Sequence, residues 1–166
     1  MTTTSSSRHV EGTVTPFVAS DELRANLQRV LVDLIELHLQ GKQAHWNLVG
    51  HNFRDLHLQL DEIVDAARVA ADTIAERMRA LGTLPDGRSD TVAATTTLPA
   101  FPFGERSTRE VVDLLTGRLH AVASTLRKVH DVVDAEDPST SDLLHTIIDT
   151  VEKYAWMISA ENRSNR

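Results

Sequence analysis

The chain contains no cysteine. That excludes a disulfide frame, a zinc ribbon, a thiol nucleophile and an iron–sulfur cluster. Aromatic residues make up 4%, with only 7 Gly and 5 Pro, too few aromatics and turn formers for a sandwich or barrel. No apolar run approaches the ~20 residues that would span a bilayer. The N-terminal MTTTSSSRHVEGTVTP has no hydrophobic stretch and does not read as a secretory signal, so a cytoplasmic location is expected. Basic residues are also scarce: 17 Lys and Arg against 24 Asp and Glu leave a net charge of −7. A folded body of that sign repels nucleic acid, so DNA contact needs a local basic patch or tail, whereas cations are attracted. P-loop, G-x-G-x-x-G and H-E-x-x-H patterns are absent.

What remains is ordinary for one globular domain with a sizeable core: 166 residues, 41% hydrophobic and 25% charged,. Residues 1–18 are Thr/Ser-rich and without periodicity, and are expected to form a flexible N-terminal tail,. From Ser20, a good N-cap, residues Leu23, Leu27, Val30, Leu31, Leu34, Leu37, His38, Gly41, Ala44, His45 and Leu48 fall on one 3.6-residue stripe, ending at Gly50,. A second helix follows Asn52 on the stripe Phe53, Leu56, Leu60, Ile63, Val64, Ala67, Ala71, Ile74, Met78 and Leu81, with Gly82 as its stop,. Residues 82–106 form a long connection with one short helix expected over residues 91–98. That length suits a crossover from one end of a bundle to the other. Ser107 and Glu110 make a capping box for a third helix, with Leu115, Leu119, Val122, Leu126, Val129 and Val133 as its seam,. Asp137-Pro138 caps and opens a fourth, whose apolar face ends at Ile158, and residues 163–166 form a short polar tail,. The expected fold is all-α: a four-helix bundle over residues 19–162 with a long crossover between helices two and three.

The chemistry concentrates in residues 42–77. His57 and Asp61 are four apart on the second helix, and Asp72 and Glu76 repeat that spacing on the same stripe,. The centres of the two pairs are about 22 Å apart at 1.5 Å per residue, too far for one metal ion. An antiparallel second copy, related by a two-fold axis near residues 66 and 67, closes the gap. It sets His57 and Asp61 of one chain against Asp72 and Glu76 of the other, and produces two sites at once. Ala66, Ala67, Ala70 and Ala71 flank that midpoint, where small side chains let helices approach. His45 joins from the end of the first helix. Two imidazoles with three carboxylates suit iron, with the carboxylates favouring the ferric state; zinc can compete through the Irving–Williams order and inhibit. Pairs four apart are also common surface decoration, and that reading stays open on the residues alone. Trp46 and Phe53 read first as core residues; Trp46, beside His45, is also placed as a redox-active ring.

His45-Trp46-Asn47-Leu48-Val49-Gly50, Leu56-His57, Asp61, Asp72 and Ala75-Glu76-Arg77 together resemble the signature of the Dps miniferritins, most nearly the second mycobacterial type, which makes an actinobacterial source plausible. The likeness extends over residues 20–162. It implies a ferritin-like four-helix bundle assembled as a hollow homo-dodecamer from two-fold dimers. The implied activity is oxidation of Fe(II), preferably by hydrogen peroxide rather than oxygen, with ferric mineral stored inside and DNA and cell protected from oxidative damage. The implied iron ligands are His45, His57 and Asp61 of one subunit with Asp72 and Glu76 of its two-fold mate.

Asp137, Asp142 and His145 open the last helix, a region that lines the three-fold pores of Dps cages. The expectation there is that Asp142 guides Fe(II) inward and that His145, paired with it, narrows the passage, with His130 and Asp137 contributing. Ordinary capping and surface polarity is the competing reading. For DNA, the N-terminal tail offers Arg8 and His9 but no Lys, and the C-terminal tail Arg163 and Arg166. Twelve copies add avidity, any binding would be strongly salt-dependent, and nucleoid association stays open. A non-catalytic nucleoid-associated bundle is the main alternative, but it would have lost ligands, and none is missing. A haem- or oxygen-binding bundle has little support: only His57-Asp61 matches the H-x-x-x-D step, and Met78 lies off the dimer midpoint. The Glu-x-x-His motifs of larger ferritins are absent, which disfavours a centre inside one bundle.

Overall fold

The structure is a computed structural model that describes residues 17–163. The sequence-predicted N-terminal tail, with Arg8 and His9, lies almost entirely outside the described residues, as does Arg166; Phe17 and Val18 are exposed and outside any helix.

Helix α1 (Asp21–Asn47) starts where the sequence expects: the Ser20 hydroxyl accepts the Leu23 N–H, and Asp21 and Glu22 face the positive end of the helix dipole,. The helix stops at Asn47, three residues short of Gly50. Leu48–Val49 instead becomes an extended segment, β1. Helix α2 (Phe53–Ala80) follows Asn52, which takes a left-handed φ of 57°, and stops before Gly82, whose φ of +75° reverses the chain,. The connection carries a short α3 (Ser89–Thr95) and a two-residue β2 (Arg106–Ser107). β2 pairs with β1 in parallel, Leu48 opposite Arg106. This two-rung ladder sets the start of α4 (Thr108–Glu136) beside the end of α1, so the connection does run the length of the bundle. The Ser107–Glu110 capping box is formed. Helix α5 (Pro138–Ala160) returns along α4, with Pro138 in its first turn.

The expected stripes form one core. Leu27, Leu34 and Leu37 of α1, Leu60, Ile63 and Ile74 of α2, and the whole α4 seam are buried. Each such aliphatic side chain contributes about 2 kcal/mol by leaving water. Ala67 and Ala71 belong to this core, because they stand seven residues from Leu60 and Val64 and so on the face that meets α1. Only Ala66 and Ala70 are half-exposed, and they border a groove of about 660 Å³ between α2 and α5. The expected small-residue seam is therefore narrower than the sequence suggests. Around that midpoint α2 shows outward Asp65, Arg68, Val69 and Asp72.

The crossover has little regular structure, so its polar groups need side-chain partners. Asp33, fully buried on α1, accepts from the Thr97 N–H at 2.7 Å and from the hydroxyls of Thr97, Thr125 and Thr96 at 2.6, 2.8 and 3.0 Å. Arg118 of α4, also buried, donates to the Pro99 and Ala100 carbonyls and to Gln40. No helix among the described residues is long and apolar enough to cross a membrane.

Candidate metal centre

Three of the five expected ligands meet within one chain. His45 lies in the last turn of α1, while His57 and Asp61 occupy the second and third turns of α2. One ligand atom from each lies within 4.8 Å of the others. The β1 turn at Leu48–Val49 folds α2 back on α1 so that these residues face each other. The two imidazoles stack, with centroids 3.6 Å apart and planes 20° off parallel, and the Phe53 ring continues the stack 5.1 Å from His57.

The ring nitrogens are poised for a cation. His57 Nδ1 is 3.2 Å from the His45 carbonyl; a proton donated there leaves the lone pair on Nε2,. His45 is 9% exposed, and neither of its nitrogens has a hydrogen-bond partner. Its Nε2 is 3.1 Å from Asp61 Oδ2, close enough for charge attraction but off the hydrogen-bond direction. Burial, the largest effect, with Lys42 nearby outweighs the attraction of Asp61 and pushes the His45 pKa down, favouring its neutral ligand form,. The Lys42 ammonium, 2.5 Å from Asp61 Oδ1, holds the Asp61 carboxyl below its ordinary range. A buried orphan imidazole, a second imidazole and one carboxylate form the two-histidine, one-carboxylate set that suits Fe(II) and leaves positions open.

Asp72 and Glu76 are not part of this cluster. Both are exposed on the outer face of α2, three to four turns further along. Asp72 borders a groove of about 430 Å³ between α1, α2 and the crossover, with Ile35, His38 and Pro85. Trp46 and Phe53, expected in the core, are 70% and 45% exposed. The α1 stripe turns Ala44 and His45 inward, and Trp46, 100° further round, points to solvent.

A ferritin-like domain model matches residues 24–163. Among curated relatives, a "DNA protection during starvation protein" of Agrobacterium fabrum is 36% identical over 81% of this chain and 83% of its own length. The "DNA protection during starvation protein 2" of Deinococcus radiodurans is 32% identical over 89% of this chain, which spans only 63% of that relative. A crystal structure of a Deinococcus radiodurans Dps superposes with a TM-score of 0.84 at 32% identity, covering 88% of this chain and 90% of the other. The chain belongs to the ferritin-like family, in its Dps branch.

This Dps chain carries a second polar cluster at the opposite end of the bundle. His130 of α4 and His145 of α5 meet through their Nε2 atoms at 2.6 Å, and His130 Nδ1 lies 2.9 Å from Asp131. Asp142 is 3.8 Å from His145 Nδ1, as their i,i+3 spacing suggests,. His130, Asp131 and His145, with Arg127, Ile148 and Asp149, form the rim of a cavity of about 240 Å³, and Asp142 stands beside it. Asp137 is not on that rim. Nor does its side chain cap α5: it is 9% exposed and accepts from Arg77 at 2.6 Å and from the Thr140 hydroxyl. Burial pushes its pKa up, but those two donors outweigh burial and hold it below the ordinary value. The sequence reading missed two residues, Lys42 and Asp33, and one contact, the Arg77–Asp137 link. Lys42 stands three residues before His45 on a facing stripe, and that spacing was the available signal.

Proposed function

We propose that this protein oxidises Fe(II) at centres shared between two copies and stores the ferric product inside a hollow homo-dodecamer, protecting DNA and cell from oxidative damage. The observation that carries the reading is the incomplete trio: His45, His57 and Asp61 converge around unsatisfied nitrogen, while Asp72 and Glu76 lie out of reach on the same helix. A two-fold mate lying antiparallel along α2 supplies the missing carboxylates. The names of the relatives, and the absence of a gap in the ligand set, support the same reading.

Iron is the substrate. Two Fe(II) each give up one electron; hydrogen peroxide takes both with two protons and leaves as two waters, so no hydroxyl radical is released. Oxygen is the slower alternative acceptor. The carboxylates stabilise the ferric state, and the His45 imidazole, its pKa lowered mainly by burial, is ready to accept Fe(II),. Trp46, exposed beside His45, serves as a nearby redox-active ring. Zinc competes for the same ligands and inhibits. Asp142 draws Fe(II) towards the passage that His130 and His145 narrow. The compartment proposed is the cytoplasm. The net charge of −7 gives the non-catalytic DNA-binding alternative no support from the folded body,.

Mass measurement coupled to Fe(II) oxidation tests the reading on wild type and Asp72→Asn. A large shell that loses most of its oxidation rate with the substitution, at unchanged mass, is the expected result. Oxidation at the wild-type rate in Asp72→Asn would overturn the shared centre.

A further inference from the structure

The mechanism above leaves one charged group at the centre without a role. Lys42 reaches across from α1 and sets its ammonium 2.5 Å from Asp61 Oδ1, with both side chains only partly exposed, 32% and 42%. The other carboxylate oxygen faces His45 Nε2. One oxygen of the only carboxylate in the trio is therefore held by a positive charge, and the other lies beside a ring nitrogen that makes no hydrogen bond. A divalent ion held by His45, His57 and Asp61 would sit one carboxylate away from that ammonium, and the two cations repel.

We propose that Lys42 is a resident counter-cation: it neutralises Asp61 while the centre is empty and must withdraw for a divalent metal ion to bind at full strength. This deepens the shared-centre reading and rests on it. The charges are consistent. Asp61 with the partner subunit's Asp72 and Glu76 brings three carboxylates to one centre. With no metal and no ammonium these carboxylates repel one another across the subunit contact. Lys42 cancels one of the three, so the contact is less repulsive while no metal is bound. Withdrawal of Lys42 frees the third for the incoming cation. The lysine thus weakens metal binding while it is in place and holds the empty contact together. Its four-carbon stem can carry the ammonium outward to solvent without moving α1.

The test is calorimetric titration of the assembled, metal-free full chain with Co(II), a divalent ion that peroxide-free buffer leaves unoxidised. Wild type, Lys42→Met, Lys42→Arg and Asp61→Asn are compared, with mass recorded for each. The expected result is Co(II) affinity at least tenfold tighter in Lys42→Met and close to wild type in Lys42→Arg, which keeps the charge. Equal or weaker binding by an assembled Lys42→Met overturns the proposal. Should Lys42→Met fail to assemble without metal, Co(II) is expected to restore the shell, and no restoration overturns it equally. Asp61→Asn separates the two readings. If it loses Co(II) binding while Lys42→Met gains none, only the lysine proposal fails; if it binds as wild type does, the shared centre fails as well.

Discussion

His130 and His145 share one hydrogen-bond axis: their Nε2 atoms lie 2.6 Å apart across the α4–α5 contact, fifteen residues apart in the chain. One ring donates its N–H to the lone pair of the other. Two acids attend it, Asp131 on His130 and Asp142 on His145. The contact closes the space between the helices, and the acids give its mouth a negative potential.

Asp142 and His145 should therefore act in opposite directions. Asp142→Asn weakens the attraction for Fe(II) and is expected to slow the initial uptake rate severalfold, most clearly at low salt. His145→Ala breaks the pair and widens the gap, and is expected to speed uptake. Stopped-flow Fe(II) oxidation with a mass measurement on each variant checks both. Equal rates in all three proteins would remove this cluster from the iron path.

Arg77 ties α2 to the turn between α4 and α5, through the Asp137 carboxylate at 2.6 Å and the Thr140 hydroxyl at 2.8 Å. Asp137→Asn leaves the guanidinium facing a neutral amide and is expected to cost about 2 kcal/mol at pH 7, less than a fully buried pair because Arg77 is partly exposed. The sign of the pH dependence follows from the lowered Asp137 pKa. The folded state binds that proton less readily than the unfolded chain, so the stabilisation is complete above the ordinary value of 3.8 and fades as pH falls through the folded value below it,. Denaturant unfolding of wild type and Asp137→Asn should differ near pH 7 and converge in stronger acid.

Gly41 lets α1 approach α2 one turn before His45. A Cβ at that position would stand 2.8 Å from Val64 Cγ2, closer than two carbons can sit, and a valine methyl has no free torsion along which to retreat,. Gly41→Ala gains about 0.5–1 kcal/mol of helix preference but forces the helices apart, for a net loss of about 1 kcal/mol or ~3 °C in Tm. Combining it with Val64→Ala should be less damaging than the two separate losses added, which differential scanning calorimetry on the single and double variants can measure.

The helix boundaries were legible because local chemistry sets them: the Ser20 hydroxyl, the Ser107–Glu110 box, Gly82 at positive φ and Pro138 in a first turn each have a signature a few residues long. The β1–β2 ladder was not, since two residues carry no periodicity and their pairing joins positions 58 apart in sequence. At the centre, spacing along one helix revealed His57 with Asp61 and the remoteness of Asp72 and Glu76. It did not place Trp46 and Phe53 in solvent, because an aromatic at the end of a stripe looks the same buried or exposed. Asp33 was hidden for the opposite reason: an acid within an apolar run, buried with four donors drawn from the crossover and α4, leaves no local trace of them.

The sharpest consequence of a shared centre appears when two damaged chains are mixed. A shell built only of Asp61→Asn lacks the carboxylate of every trio, and one built only of Asp72→Asn lacks a partner carboxylate at every centre. In a dimer containing one chain of each kind, one centre collects both substitutions and the other collects neither. Random pairing makes half the dimers mixed, so about a quarter of all centres regain the full ligand set. Shells reassembled from equal amounts of the two variants are therefore expected to recover about a quarter of the wild-type Fe(II) oxidation rate, while each variant alone stays near background. A centre contained within one chain gives no recovery at any mixing ratio, because no chain in the mixture carries both carboxylates.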